Sequence, residues 1–170
     1  MNTQKENRPL PQGVSVRNAF QAGDIGHIVW LHGVLYTKEY GWDHTFEAYV
    51  AGPLSEFAKS QTGRERIWLV ERNNSIVGTV AIVEVSEVVA QLRWLLVHPD
   101  LRGLGLGRYL VEEALKFCRD RGYRSVFLWT EGRLTAAARI YTSLGFKQNE
   151  AKTHSLWGTV VTEERYELNL

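Results

Sequence analysis

The sequence has one cysteine, Cys118, and only four prolines in 170 residues. A single thiol excludes an intrachain disulfide and fits a reducing, cytoplasmic setting. No uncharged apolar run approaches the roughly 20 residues that a membrane-spanning helix needs. The N-terminal MNTQKENRPLPQ has no apolar stretch behind it of the kind a secretory leader carries. Neither sign of charge dominates: 20 Lys plus Arg stand against 19 Asp plus Glu, a net charge of +1. Such a chain has no general field toward nucleic acid or anionic lipid, so any anion site must be local. There is no internal repeat and no internal linker. His27 and His32 are five apart on one predicted helix and so point in different directions, and Cys118 falls on a core face. A metal centre is therefore not expected.

What is present is an ordinary globular composition, 44% hydrophobic and 23% charged, enough for one substantial core. Residues 1–12 carry Pro9 and Pro11 among polar residues and read as a flexible N-terminal tail, leaving 13–170 as a single domain. VSVRNA alternates as a short strand. In the following helix Asp24 is placed to cap, and Ile25, Ile28, Val29, His32, Leu35 and Tyr36 recur at helical spacing. Thr45 to Ser60 reads as a second helix that Gly52-Pro53 should break or kink. ERIWLVER and SIVGTVAIVEV flank Asn73-Asn74, a pair that tolerates the positive φ of a hairpin turn. AQLRWLLV adds a third strand, ended by His98-Pro99-Asp100.

From Gly105 to Arg121, Leu106, Leu110, Val111, Ala114, Phe117 and Cys118 share one helical face, with Arg108, Glu112, Glu113, Lys116 and Arg119 opposite. SVFLWT is a strand and LTAAARIYTSL a helix closed by Gly145. A final β pair is expected near Phe146 to Thr153 and Thr162 to Leu168. The order β-α-α-β-β-β-α-β-α-β-β describes a mixed α/β domain.

The segment Arg102-Gly103-Leu104-Gly105-Leu106-Gly107 lies between a strand and a helix. Three glycines let successive amides converge, and the helix N-terminus adds partial positive charge, so the turn can hold a pyrophosphate. Arg102 and Arg108 add full charges. The same glycines also suit a tight strand-to-helix turn with no ligand. A Walker loop is excluded because Arg108-Tyr109, not Lys and Ser or Thr, follow Gly107. A dinucleotide fingerprint is excluded by the G-x-G-x-G spacing after an antiparallel meander.

The run LLVHPDLRGLGLGRYLVEEALKFCRDRGYRSVFLWT resembles the acyl-CoA-binding motif of the GNAT superfamily, Arg or Gln, two residues, Gly, one residue, Gly or Ala, with Arg102, Gly105 and Gly107 in place. Some 40 residues on, IYTSLGF is similar to that superfamily's next element, a helical tyrosine before a Gly-Phe. The resemblance spans about residues 14–170. It implies a mostly antiparallel sheet of about seven strands flanked by about four helices, and transfer of an acetyl group from acetyl-CoA to a primary amine through a ternary complex, without a metal. It implies that the backbone of Leu95, Leu96 and Val97 pairs with the pantetheine arm. The amides of Arg102, Gly103, Leu104, Gly105, Leu106, Gly107 and Arg108 would hold the pyrophosphate. HGVLYTKEYGWDHTFE, residues 32–47, is similar to a segment of acetyltransferase domains fused behind MarR-type regulators. The tail is far too short for a winged helix, so DNA binding is not implied.

An alkylammonium must lose a proton before it attacks a thioester, the oxyanion needs a donor, and the departing thiolate gains from an acid. The resemblance puts the oxyanion donor on a main-chain N–H near Leu96 and the acid at Tyr141, which spacing alone also allows as a core residue. Where relatives often carry a glutamate this chain has Gln91, which cannot accept a proton. Glu84 is the best substitute, with Glu87 behind it, although a solvent-facing carboxylate is the more ordinary use of a glutamate on an antiparallel strand. Leu134 replaces a frequent asparagine, which puts contacts to the cofactor from that side in doubt.

Tyr36, Tyr40, Trp42 and His44, with Phe46, can form a wall for the acceptor or packing between the first two helices. The loop around His154 to Gly158 can complete the cover, and Glu39 and Asp43 can attract an ammonium. The expected partner is a small-molecule amine, and a homodimer is an open option. A non-catalytic acyl-CoA sensor, or an acetyltransferase acting on protein lysines, are the competing functions.

Overall fold

The computed structural model describes residues 10–170. In chain order they form β1 (Val14–Arg17), α1 (Asp24–Tyr40), α2 (His44–Ser60), β2 (Arg66–Arg72), β3 (Ser75–Glu84), β4 (Val89–Val97), α3 (Leu106–Asp120), β5 (Ser125–Glu131), α4 (Thr135–Ser143), β6 (Lys147–Leu156) and β7 (Thr159–Asn169). This is the order the residue pattern predicts. The strands make one seven-stranded sheet, β1-β2-β3-β4-β5-β7-β6. Only the β4–β5 pair is parallel. Among the described residues no helix is long and apolar enough to cross a membrane.

Strand alternation sorts the core into two layers. Trp68, Val70, Val80 and Ile82 point to one face of the sheet, where Leu106, Leu110, Val111, Ala114, Phe117 and Cys118 of α3 cover them. Burial there pushes the Cys118 thiol up to about 12, which marks it as a packed core group. Ile67, Leu69 and Ala81 point to the other face, under Ile28 of α1 and Phe46, Val50, Leu54 and Phe57 of α2. Each large side chain so buried contributes roughly 1.5–3 kcal/mol.

Four expectations need correction. Residues 1–9 of the expected tail lie outside the described residues, but Leu10 is half-buried against the α3-side core, so the tail cannot run to residue 12. Helix α2 passes through Pro53 unbroken. Its buried stripe, Phe46, Val50, Leu54 and Phe57, anchors both halves and offsets the roughly 3 kcal/mol that an interior proline costs. Asp24 is the first residue of α1, not its cap, because its carboxylate is taken by the Arg17 guanidinium (2.7 and 2.8 Å) and the Gln21 amide (2.6 Å). The last two strands are longer than expected, since Trp157 (φ 52) and Gly158 (φ 78) alone make the turn between them. An aromatic residue at positive φ is a poor sequence signal for a two-residue hairpin.

Candidate active site

The site begins with an irregularity in β4. Thr79 pairs with Leu96 and Ala81 with Arg93, so Val80 alone opposes both Trp94 and Leu95. Trp94 takes a φ of 51, a left-handed conformation that costs a bulky residue of order 1–3 kcal/mol and persists only where the surroundings enforce it. The buried Thr79 hydroxyl does so, donating to the Trp94 carbonyl at 2.5 Å. The extra residue reverses side-chain parity. Leu92 packs on the α3 side and Trp94 on the α1–α2 side, and Arg93 lines a cavity beside Trp94. Strand β5 pairs with β4 only over Val89–Gln91. Beyond Gln91 the two strands part, and the edge of Leu95–Val97 that faces away from β3 has no strand partner among the described residues.

An open cleft lies in that gap. It brings together Leu95, Leu96, Val97, Arg102, Gly103, Gly105, Leu106, Gly107 and Arg108, with Tyr36 and Tyr40 from α1 and Leu134, Ala137 and Ile140 from the α4 side. Leu104 does not line it and is 56% exposed. Gly103 (φ 77) and Gly105 (φ 81) take left-handed conformations in the turn, and a Cβ on Gly107 would meet Ile140 Cδ1 at 3.1 Å. Among the described residues no protein acceptor takes the amides of Gly103, Leu104, Gly105, Leu106, Gly107 or Arg108. Unmatched amides converging at the start of a 15-residue helix form an anion seat.

The flanking arginines depart from expectation. Arg102 forms a two-point pair with Glu39 of α1 (both 2.7 Å) and donates to the Val97 carbonyl at 2.9 Å. Arg108 is shared between Glu112 (3.0 Å) and Ser143 (2.9 Å). The positive character of the seat therefore comes first from the main chain. Glu39, a candidate ammonium attractor, is committed to Arg102.

A second cavity lies on the α1–α2 side. Its wall includes His32, Tyr36, Trp42, Phe46, Tyr49, Arg93, Trp94, Trp129, Glu131, Tyr141, Trp157 and Glu163. Tyr36, Leu95, Leu134 and Ala137 line both spaces, so the cleft and the cavity meet at Leu95. The aromatic wall is also packing: Trp42 is 2% exposed, with ring centroids 4.9 Å from Tyr36, 4.6 Å from Phe46 and 4.4 Å from Trp157. The Trp157 carbonyl accepts from the Asp43 amide at 2.9 Å, docking the β6–β7 turn on the α1–α2 loop. Asp43 itself caps α2 through the Thr45 amide at 3.0 Å. His44 is exposed at the start of α2 and lines neither space.

Tyr141 is 4% exposed and joins the cavity wall from α4. Burial pushes its hydroxyl far above the usual tyrosine range, and Tyr36 adds to the effect, so the group stays protonated at any physiological pH. Burial, with Tyr40 adding, acts the same way on Tyr36. His32, 3% exposed, has its Nδ1 2.8 Å from the Ile28 carbonyl. A carbonyl only accepts, so Nδ1 carries the proton and Nε2 is a bare acceptor. Burial pushes this histidine down to about 4, against the opposing pull of the Ile28 carbonyl.

Glu84 does not join the site. It pairs with Arg64 at 2.8 Å, takes the Thr62 hydroxyl at 3.3 Å, and lines neither space. Glu84 is at the far end of β3, away from the bulge at Thr79–Ala81 that brings Trp94 to the side of Arg93. Glu87 is exposed in the following loop. The carboxylates that do reach the cavity are Glu131 and Glu163, directly opposite each other in the β5–β7 register and so on one face of the sheet. Glu131 is 5% exposed, with Arg133 at 3.1 Å, and Glu163 has His154 at 2.7 Å. The pattern of residues did not point to them, since only the register reveals the pair. Among the described residues no group of three His, Cys, Asp or Glu gathers as a metal site.

The profile of the acetyltransferase (GNAT) family matches residues 31–146. The chain is 30% identical over 127 residues to N-acetyltransferase 8B of Homo sapiens, covering 71% of this chain and 56% of that protein. It therefore spans little more than half of that relative. It is 32% identical over 126 residues to an uncharacterized N-acetyltransferase of Schizosaccharomyces pombe, covering 71% and 75% of the two chains. Among solved structures, an acetyltransferase from Streptococcus agalactiae superposes with a TM-score of 0.76 at 19% identity, over 94% of this chain and 100% of that one. The Salmonella typhimurium protein yncA, solved with its cofactor acetyl-CoA, superposes with a TM-score of 0.70 at 20% identity, over 93% and 94%. At these identities the structural likeness is one of fold.

Proposed function

The chain belongs to the acetyltransferase (GNAT) family, and we propose that it transfers the acetyl group of acetyl-CoA to the primary amine of a small molecule by direct attack within a ternary complex. The observation that carries this reading is the meeting of two unlike spaces at Leu95: a cleft floored by unmatched amides and a cavity walled by aromatics and carboxylates. The cleft fits acetyl-CoA. Its pyrophosphate meets the amides of residues 103–108, and its pantetheine arm runs along the free edge of Leu95–Val97. The likeness to a fold neighbour solved with acetyl-CoA accords with this.

In the ternary complex the amine nitrogen attacks the thioester carbon at the junction, forming the C–N bond as the C–S bond breaks. The ammonium proton passes, directly or through water, to Glu131, whose carboxylate lines the acceptor cavity. An amide on the splayed edge near Leu96 receives the developing negative charge of the carbonyl oxygen. The Tyr141 hydroxyl, kept protonated by burial, donates a hydrogen bond to the sulfur as it leaves. The second proton lost by the nitrogen passes to the sulfur, giving the neutral amide and the CoA thiol, and Glu131 releases its proton to solvent. Glu131 thus assumes the role first assigned to Glu84. Residues 32–47 supply the second half of α1 and the start of α2, which wall the acceptor cavity.

The test is release of free CoA thiol from acetyl-CoA against a panel of small amines. Acetyl-CoA-dependent turnover of at least one amine is expected. Binding of acetyl-CoA with no turnover of any amine would instead favour a sensor.

A further inference from the structure

Three arginines line the two spaces, and two of them, Arg102 and Arg108, are paired with carboxylates. Arg93 is different. It is half-buried in the cavity wall, and among the described residues no carboxylate reaches it. Its guanidinium lies 4.9 Å from the Trp94 ring centroid. Its other neighbour is the hydroxyl of Tyr49, an aromatic of the same wall. A guanidinium withdrawn from water without a counter-charge is costly, so it is retained where something else supplies the charge. Burial lowers its pKa and the Tyr49 hydroxyl opposes the shift, in keeping with that cost. The indole nitrogens of Trp42 and Trp94, which can only donate, also lack partners, and both residues belong to this wall. Few buried polar groups go unmatched in a folded protein, yet these gather around one cavity. The opposed carboxylates of Glu131 and Glu163 line the same cavity, Glu131 with Arg133 at 3.1 Å and Glu163 with His154 at 2.7 Å.

The cavity therefore holds a guanidinium that calls for an anion and carboxylates able to receive an amine, with Trp129, Trp157 and Phe46 supplying apolar surface. Resting on the acetyltransferase reading above, we propose that the acceptor is an amino acid with an apolar or aromatic side chain, its carboxylate held by Arg93 and its amine turned toward Glu131 and Glu163. A simple alkylamine satisfies only the carboxylates, and a polyamine brings positive charge against Arg93. The side-chain amine of a lysine within a protein has no carboxylate of its own to offer. Arg93 is thus a specificity-determining residue for the acceptor and has no part in the cleft.

The test pairs acceptors that differ only in the carboxylate: phenylalanine with 2-phenylethylamine, and leucine with 3-methylbutylamine. CoA release gives kcat/KM for each, and acetyl-CoA-induced thermal stabilisation is recorded alongside. In the parent, the amino acid of each pair should exceed its amine by about 100-fold, the scale of a desolvated charge pair. Arg93→Met should raise KM for the amino acid and collapse that ratio. Arg93→Lys, which keeps the charge without the two-point fork, should retain part of it. Both variants should keep the acetyl-CoA stabilisation. Amines used as well as amino acids, or a ratio unmoved in Arg93→Met, would overturn the proposal. Turnover of neither class, with acetyl-CoA stabilisation intact, overturns the amino-acid acceptor and leaves the cofactor site standing. Loss of both in the parent removes the acetyltransferase reading and this one with it.

Discussion

The cleft after β4 offers its ligand main-chain amides, whereas the cavity under α1 and α2 offers side chains. In the cleft, Gly103, Gly105 and Gly107 clear space and six amides are left unmatched, while both flanking arginines are already occupied. In the cavity, Arg93, Glu131 and Glu163 arrive from three strands, and the aromatic wall comes from both helices and the β6–β7 turn. A site made of backbone depends on local conformation and hence on a short run of sequence. A site made of side chains depends on register, parity and docking, which a short run does not carry.

The largest effect that sharpens this contrast belongs to Tyr141 of the cavity wall. Tyr141→Phe removes the hydrogen bond to the leaving sulfur and touches no part of the amide seat. It should lower kcat by about 100-fold or more with acetyl-CoA affinity unchanged, as read by steady-state kinetics and a binding titration. An unaltered kcat would confine Tyr141 to packing against Phe146 and Tyr166.

That contrast also governs what was legible beforehand. The order of elements, the Asn73-Asn74 turn and the glycine turn between β4 and α3 follow from local pattern and match the structure. The cavity did not follow. Arg93 sits in a strand whose alternation marks it as ordinary, until the unheralded bulge at Trp94 reverses parity and puts both residues on one side. Glu131 and Glu163 lie 32 positions apart and become neighbours only through the β5–β7 register. Glu84 lies on the strand preceding that of Gln91, and its pairing with Arg64 cannot be read from the strand alone.

An intermediate effect belongs to the cavity. His32 is neutral in the fold, taking a proton only near pH 4, while in the unfolded chain it takes one near 6.5. Its contribution is therefore fully present above about 6.5 and is lost as pH falls from there toward 4. The loss amounts to about 3 kcal/mol. Denaturant titrations at several pH values should show His32→Leu with a flatter dependence over that window than the parent. Identical pH slopes would mean that His32 is not the group responsible.

The smallest effect belongs to the cleft. Glu39→Gln should loosen Arg102 from α1 and free its charge for the cofactor, tightening acetyl-CoA by about two- to five-fold at low salt, the scale of an exposed ion pair. Weaker binding would mean that Glu39 positions Arg102 for the ligand rather than competing with it.

The claim that the cofactor seat is built from main chain is tested most directly by thermal unfolding with and without saturating acetyl-CoA in the parent and in Gly107→Val. The new side chain would crowd Ile140, whose Cδ1 lies 3.1 Å from the Cβ position, at the floor of the cleft. The account predicts that acetyl-CoA at about 100 times its Kd stabilises the parent by about 2.7 kcal/mol. In Gly107→Val it should do nothing, although the unliganded variant unfolds within a few degrees of the parent. An equal shift in both proteins would contradict it.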